Sequence, residues 1–374
     1  MKVLVTGGAG FIGSHTADRL IEKGYKVRIV DSLEEPIHLN GKAHYIPEGA
    51  EFVKGDVRDN RILADALSGI DAVMHFAAYQ DYLPNFSKFF HVNTFSTALM
   101  YELIVQNKLP VKKVVIASSQ SVMGEGRYKC ARDGIFYPNI RPQKQLERGD
   151  WEIKCPICGT GAQYMLSDET VINAQNQYGM SKYTQEMIAI NLGRRYSIPS
   201  VALRYSIVQG PRQSFYNVYS GVCRIFCLSV FLNRKSVIYE DGNSIRDYVN
   251  IQDVVDANIL ALEDARTDYE VFNVGGGRPY TVLEFANIVA KVTGSAINAD
   301  ITGEYRFGDT RHIISAISKL KNLGWSPKTP IEKSVEDYMD YLKKQAEIKD
   351  IMDYYNGRLR SLGVVRKIIS KRVI

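Results

Sequence analysis

Three side chains stand at spacings suited to moving a proton. Tyr178 and Lys182 are four residues apart in Tyr178-Gly179-Met180-Ser181-Lys182, within a stretch, 174–196, whose pattern reads as a long helix. Positions i and i+4 share one helical face, so phenol and ammonium point into the same cleft. A phenol is a poor base near neutrality, its ordinary pKa being about 10. A nearby cation favours the phenolate and turns it into a base for an alcohol. Ser119 follows the apolar run Val114–Ala117 and could bond the same alcohol. Tyr-x-x-x-Lys alone is common by chance; its weight comes from what precedes it.

Thr6-Gly7-Gly8-Ala9-Gly10-Phe11-Ile12-Gly13 follows a first apolar run and opens a helical pattern. Glycines at 7, 10 and 13 suit a tight turn, close approach of a pyrophosphate, and close packing of helix on sheet. Free amides at the helix start attract the anion. Asp31 ends the second apolar run. A carboxylate there accepts both ribose hydroxyls and repels a 2′-phosphate, which predicts NAD rather than NADP. An oxidised nicotinamide would then be the cation beside Tyr178. Asp56-Val57, after the third run, suits an adenine contact, with a surface aspartate closing a strand as the plainer reading.

A second group of reactive side chains lies between Gly124 and Thr170. Cys155-Pro156-Ile157-Cys158-Gly159 reads as a knuckle turn, and Cys130-Ala131-Arg132-Asp133 as an incomplete one. Zinc ribbons pair two such knuckles, and Asp133 can ligate through oxygen. Cys130, Asp133, Cys155 and Cys158 are therefore candidate ligands of a structural zinc, with a metal-free vestige and a redox pair as the other readings. Cys223 and Cys227, at i and i+4 in an apolar helical stretch, read as core.

These groups require a frame. Val3–Val5, Val27–Val30, Phe52–Lys54, Ala72–Phe76 and Val114–Ala117 are short β-branched runs, and helical patterns such as Ser14–Lys23 and Asn60–Leu67 stand between most of them. Such alternation predicts an α/β fold, a doubly wound parallel sheet covered on both faces. The expected organisation is a dinucleotide-binding domain over 1–210, interrupted by an insertion at 124–170 that is too long for a bare loop. A smaller mixed substrate lobe over 211–348 follows, some of its sheet elements shared with the first domain, then a basic tail over 349–374. Helices are expected near 215–232, 252–265, 281–293, 316–322 and 330–348, and a buried strand over 201–208.

Taken in order, Thr6–Gly13, Asp31, Gly55-Asp56-Val57, His75-Phe76-Ala77-Ala78, Asn93, Ser118-Ser119, Tyr178–Lys182, Leu203-Arg204-Tyr205, Gly210–Gln213, Arg246-Asp247-Tyr248 and Gly308–His312 give a chain that resembles the extended short-chain dehydrogenases/reductases, specifically nucleotide-sugar epimerases and dehydratases. The resemblance covers residues 1 to about 345, and the insertion resembles one in dTDP-rhamnose 4-epimerase-like enzymes. It implies a Rossmann fold with NAD held by Gly7, Gly10, Phe11, Ile12, Gly13, Asp31, Ser32, Asp56, Val57, Ala77, Ala78, Asn93, Tyr178 and Lys182. It makes Tyr178 the base, Lys182 the grip on the nicotinamide ribose, and Ser119 the partner of the sugar hydroxyl. Ser121, Arg212, Arg246 and Arg311 fall around a nucleotide-diphospho-sugar, with surface ion pairs as the plainer reading of each arginine. Dehydratases of the family carry an Asp-Glu pair just after the catalytic hydroxyl. Here Gln120-Ser121 stands there, which favours a 4-epimerase over a dehydrogenase, reductase or dehydratase. A non-catalytic NAD-binding regulator would not need the triad. Two positions depart from the family: Met123 stands before Gly124 where tyrosine is usual, and Ile207 where asparagine is usual. In the family, the helices at Asn93–Gln106 and Asn173–Tyr196 form a homodimer interface.

The chain has 374 residues, 45% hydrophobic and 24% charged, with net charge +6. The last eighteen residues hold six bases and no acid, so the rest is neutral, which excludes the basic face of a nucleic-acid binder. The tail alternates bases with Leu359, Leu362, Val364, Val365, Ile368, Ile369, Val373 and Ile374. That pattern suits peripheral contact with an anionic membrane or a partner, or else a solvated or subunit-packed C-terminal helix. The absence of a leader signature at the start, of any eighteen-residue apolar run, and of a disulfide-scale cysteine count predicts a cytoplasmic protein.

Overall fold

In a computed structural model, the chain is described over residues 1–374 except 44, 218–220, 296–298, 346–347, 349, 351 and 370–374. Seven parallel strands form the central sheet: β1 (Lys2–Thr6), β2 (Lys26–Asp31), β3 (Glu51–Lys54), β4 (Ala72–His75), β5 (Lys113–Ser119), β6 (Ser200–Tyr205) and β7 (Glu270–Val274). Their order is β7-β6-β5-β4-β1-β2-β3. Strand order reverses between β1 and β4, and a doubly wound sheet opens a crevice at that point, beyond the strand ends. β4 and β6 are buried along their whole length, as their unbroken apolar runs require. Helices Phe11–Glu22 and Ile251–Glu263 cover one face through Leu20, Val254 and Val255. Asn60–Leu67 and Ser96–Gln106 cover the other through Leu63, Leu67 and Met100.

The expected helix over 174–196 starts later. Asn173, ahead of the helix, is tied down, its amide donating to Val122 O and its side chain to Pro138 O. The helix begins at Gln177, where the Asn176 side chain accepts from Gly179 N at 2.8 Å. It widens to π-helix at Ile188–Leu192 and ends at Tyr196.

The C-terminal segment is not a separate body. Its helix Val222–Phe231 packs with Val282–Thr293 and Ile331–Lys343 around Phe226, Phe285, Val335 and Tyr338. Yet Ile251–Glu263 and β7 return to the dinucleotide sheet, where Val254, Val255, Phe272 and Val274 join its core. The expected bounds 215–232 and 330–348 include positions outside the described residues, as do the tail's Lys371, Arg372, Val373 and Ile374.

The insertion folds as its own small unit. Arg127–Cys130 pairs antiparallel with both Gly134–Phe136 and Gln163–Met165. The tail packs on the body: helix Met352–Ser361 is followed by Val365–Arg366, which pairs antiparallel with Tyr305–Arg306. Among the described residues no helix is long and apolar enough to cross a membrane.

Candidate active site

A cavity of about 290 Å³ opens at the switch point. Gly7, Gly10, Phe11, Ile12 and Gly13 floor it; Asp31, Ser32, Asp56, Val57, Ala77 and Ala78 form its sides. Gly7 adopts φ +67°, and a Cβ there would sit 2.7 Å from Ala77 N. A Cβ on Gly13 would come within 2.2 Å of Gly7 O, so the helix can press on the turn only without side chains. Asp31 Oδ2 accepts from Ala9 N at 3.1 Å and Oδ1 from Leu33 N at 2.9 Å, which fixes a carboxylate at the rim. A pyrophosphate at the glycine turn and a ribose at Asp31 fit this shape and charge.

Asn93 does not join that lining. It is fully buried; its Oδ1 accepts from Tyr79 N at 2.7 Å, while its Nδ2 donates to Tyr79 O and to Ser181 Oγ. It ties the segment after β4, whose Tyr79 lines the cavity, to the helix bearing Tyr178.

Tyr178 and Lys182 both face the cavity. A Cβ on Gly179 would lie 2.5 Å from Ser121 O, so the helix rests directly on the turn after β5. That contact brings the Tyr178 phenol into hydrogen-bond contact with Ser119. Lys182 Nζ donates to Ala117 O at 2.7 Å and Gln185 Oε1 at 2.9 Å and lies 5.9 Å from the Tyr178 ring centroid. The protein's own groups do not lower the phenol as the spacing predicts. Burial pushes Tyr178 up to about 12, with only Ser119 opposing. Burial likewise lowers Lys182 to about 7, against the pull of Glu186. The lowering of Tyr178 therefore needs a positive charge that these side chains do not supply. Beneath the pair, Arg204 grips Glu186 at 2.7 and 2.8 Å, and Ser118 donates to the same carboxylate. This accounts for the Leu203-Arg204-Tyr205 sequence as support for the helix.

A second cleft of about 770 Å³ joins the first at Tyr178 and contains Ser119 and Ser121. Ser121 Oγ is buried and has no hydrogen-bond partner among the described residues, so it is free to meet a ligand. Ile207 lines this cleft, whereas Met123 does not. Met123 turns into a small core with Val171 and Ile313, so its effect on the cleft wall passes through Gly124.

The three arginines separate. Arg246 lines the cleft, its guanidinium set by carbonyls of Ile245, Arg311 and Thr310. Arg311 lines neither cleft. It is wholly buried and binds Glu152, Glu240 and Asp241, so its charge is consumed inside the protein. Arg212 also lines neither cleft; it pairs with Asp18 at 2.6 Å and stacks on Tyr45. Sequence reasoning missed Arg306. It lines the cleft between the Tyr82 and Tyr239 rings, 4.9 and 5.0 Å from their centroids, and is clasped by Asp309. Its signal was its place two residues before Gly308-Asp309.

Cys130, Asp133, Cys155 and Cys158 do converge, their ligand atoms lying within 4.8 Å of one another. Cys130 Sγ is 3.5 Å from Cys158 Sγ, and Asp133 Oδ2 is 3.1 Å from Cys155 Sγ. Amides of Asp133 and Arg132 hold the Cys130 thiol below its usual range. All five cysteines are free, and Cys223 and Cys227 lie in the lobe's core.

Sheet order, glycine cradle and the Ser-Tyr-Lys cluster define a dinucleotide-dependent enzyme fold of the short-chain dehydrogenase/reductase type. The model of the NAD dependent epimerase/dehydratase family matches residues 3–140 and 155–275, and the chain belongs to that family. It is 32% identical over 358 residues to dTDP-L-rhamnose 4-epimerase of Burkholderia thailandensis, covering 93% of this chain and 97% of that protein. It is 30% identical to UDP-glucose 4-epimerase of Lacticaseibacillus casei, covering 93% and 98%. Among solved structures, UDP-glucose 4-epimerase of Thermotoga maritima with UDP-glucose superimposes with a TM-score of 0.75 at 31% identity, covering 93% of this chain and all of that one. The Thermus thermophilus UDP-glucose 4-epimerase complex with NAD gives 0.73 at 27% identity, covering 92% and 100%.

Proposed function

We propose that the chain is an NAD-dependent nucleotide-sugar 4-epimerase. One observation carries the reading: Ser119 and Tyr178 stand together in the cleft lining, and the residues that follow Ser119, Gln120 and Ser121, bring no carboxylate to them. Among the described lining residues the acids are Asp81, Glu240 and Asp309. Asp81 accepts from the Tyr82 and Leu83 amides, Glu240 is paired with Arg141 and Arg311, and Asp309 with Arg306. Elimination of water needs a second acid and base; oxidation and re-reduction at one carbon needs only one.

Ser119 and Tyr178 hold the sugar hydroxyl, and Tyr178 takes its proton and later returns it. Lys182 holds the ribose next to the nicotinamide, while Arg246 and Arg306 hold the diphosphate. NAD, where bound, would supply the hydride chemistry that oxidises and re-reduces that carbon. The residues around Gly7–Gly13, Asp31 and Asp56 hold the cofactor throughout. The test is incubation with UDP- and dTDP-linked hexoses, with products read by proton NMR. Epimer is expected with no net nicotinamide absorbance, and Tyr178→Phe is expected to lower kcat about 10²–10⁴-fold with sugar binding kept. NADH accumulating in step with product would overturn the reading in favour of a dehydrogenase.

The converged Cys130, Asp133, Cys155 and Cys158 support a structural zinc, since four protein ligands leave no open position. One zinc per chain by elemental analysis, and a lower Tm after chelation, are expected; a metal-free protein with unchanged Tm sinks it. The exposed Phe86, Phe90, Phe95, Met180 and Met187, on the paired helical segments at 86–106 and 177–196, support a homodimer. Sedimentation at micromolar concentration would show the doubled mass. The unbonded cysteine cluster supports a reducing, cytoplasmic setting.

A further inference from the structure

The tail crosses the mouth of the substrate cleft. Leu359 and Val365 are buried, and Phe307 N donates to Val364 O at 3.1 Å. That seating puts Leu362 and Val364 in the cleft lining beside Phe307. The buried carboxylate of Glu304 receives two tail cations, Arg360 at 2.9 Å and Lys367 at 3.8 Å. Farther on, Arg366 lies over the Phe307 ring and reaches Gln143 Oε1 at 2.6 Å, and Ile369 N donates to Glu147 O. The strap thus runs from the lobe to the insertion over the strand that carries Arg306.

We infer that residues 358–369 form a wall of the nucleotide-sugar site, with Leu362 and Val364 touching the bound substrate and the strap holding Arg306 in place. This rests on the nucleotide-sugar reading above. Three of the tail's bases are then structural: Arg360 and Lys367 meet Glu304, and Arg366 meets Phe307 and Gln143. Two apolar side chains on this wall favour a substrate whose facing surface carries no charge.

The experiment is calorimetric titration of the NAD-loaded protein with UDP-glucose and dTDP-glucose. Leu362 is 44% exposed, so its replacement spares the fold. Leu362→Asp is expected to raise Kd about tenfold without changing Tm or NAD retention, and Leu362→Met to restore binding. Deleting 357–374 is expected to raise Kd further, because it also frees Glu304 and the Arg306 strand. In turnover the change should fall on KM, with kcat nearly kept. Binding within twofold of wild type in both Leu362→Asp and a folded deletion overturns the inference. If the deletion does not fold, Leu362→Asp alone decides. Wild type that binds without epimerising refutes the reaction and leaves the wall standing; wild type that binds neither sugar nucleotide refutes both.

Discussion

The dinucleotide cradle and the walls of the substrate cleft are built on opposite plans. The cradle is local: one turn of eight residues, four of them glycine, and a carboxylate at the next strand end. Its shape comes from backbone that can approach closely because Cβ atoms are missing. The cleft wall is assembled from distant segments joined by buried charge. Arg311 alone connects Glu152 of the insertion to Glu240 and Asp241 of the lobe, and Arg141 joins Glu240 from the other side. A close-packed turn fails by overlap, whereas an ion network fails by leaving charges unpaired. The first is fragile to added atoms, the second to removed ones.

That contrast can be broken in four places. Arg311→Ala takes a cation from three carboxylates, leaving Glu240 with Arg141 and Glu152 with His312, and is expected to cost about 3–5 kcal/mol in urea unfolding. It should also raise KM, because the carbonyls of Thr310 and Arg311 orient Arg246. A loss near zero would show that the network is ornamental. Gly13→Ala, with its methyl driven toward Gly7 O, is expected to cost about 1–3 kcal/mol. Bound NAD should be lost in gel filtration, while binding of UDP to the cleft persists. Loss of both together would mean that the two regions are not independent.

Glu125 sharpens the comparison through pH. Burial pushes its carboxyl up to about 7, against the pull of Arg141. The folded state therefore holds this proton more tightly than the unfolded chain. Its contribution is complete below pH 4.5 and is lost as pH rises through 7. Glu125→Gln should remove that decline, so the stability of the variant relative to wild type grows by about 1–3 kcal/mol between pH 5 and 7.5. A pH-independent difference would place Glu125 outside the network. The smallest effect is expected for Arg212→Ala, about 0–1 kcal/mol with KM unchanged. Its partner Asp18 is on the cradle's own helix, far from Ser119 in the chain and outside both clefts. A raised KM would return Arg212 to the substrate.

The residues that read clearly in the sequence are those whose role is local. Thr6–Gly13, Asp31 and the Tyr178–Lys182 spacing each carry their geometry within one turn or one helix, and strand alternation carries the sheet. Asn93 and Arg311 lie outside the lining of both clefts, since a motif position says nothing about which way a side chain turns once its neighbours are packed. Arg306 went unread because its sites of contact, Tyr82 and Tyr239, are far away in the chain. The tail read as basic and amphipathic, yet the acid its cations meet, Glu304, is more than fifty residues earlier.

By itself the sequence determined the parallel α/β frame, the nucleotide cradle, the hydroxyl-phenol-amine set and the four clustered metal-type ligands, because period, glycine spacing and helical register act over short range. Only the tertiary structure decided which arginines face the cleft, how the phenol's pKa is set by burial, and that the tail closes a wall. Desolvation and long-range ion pairing depend on what packs around a group, and no local pattern encodes that.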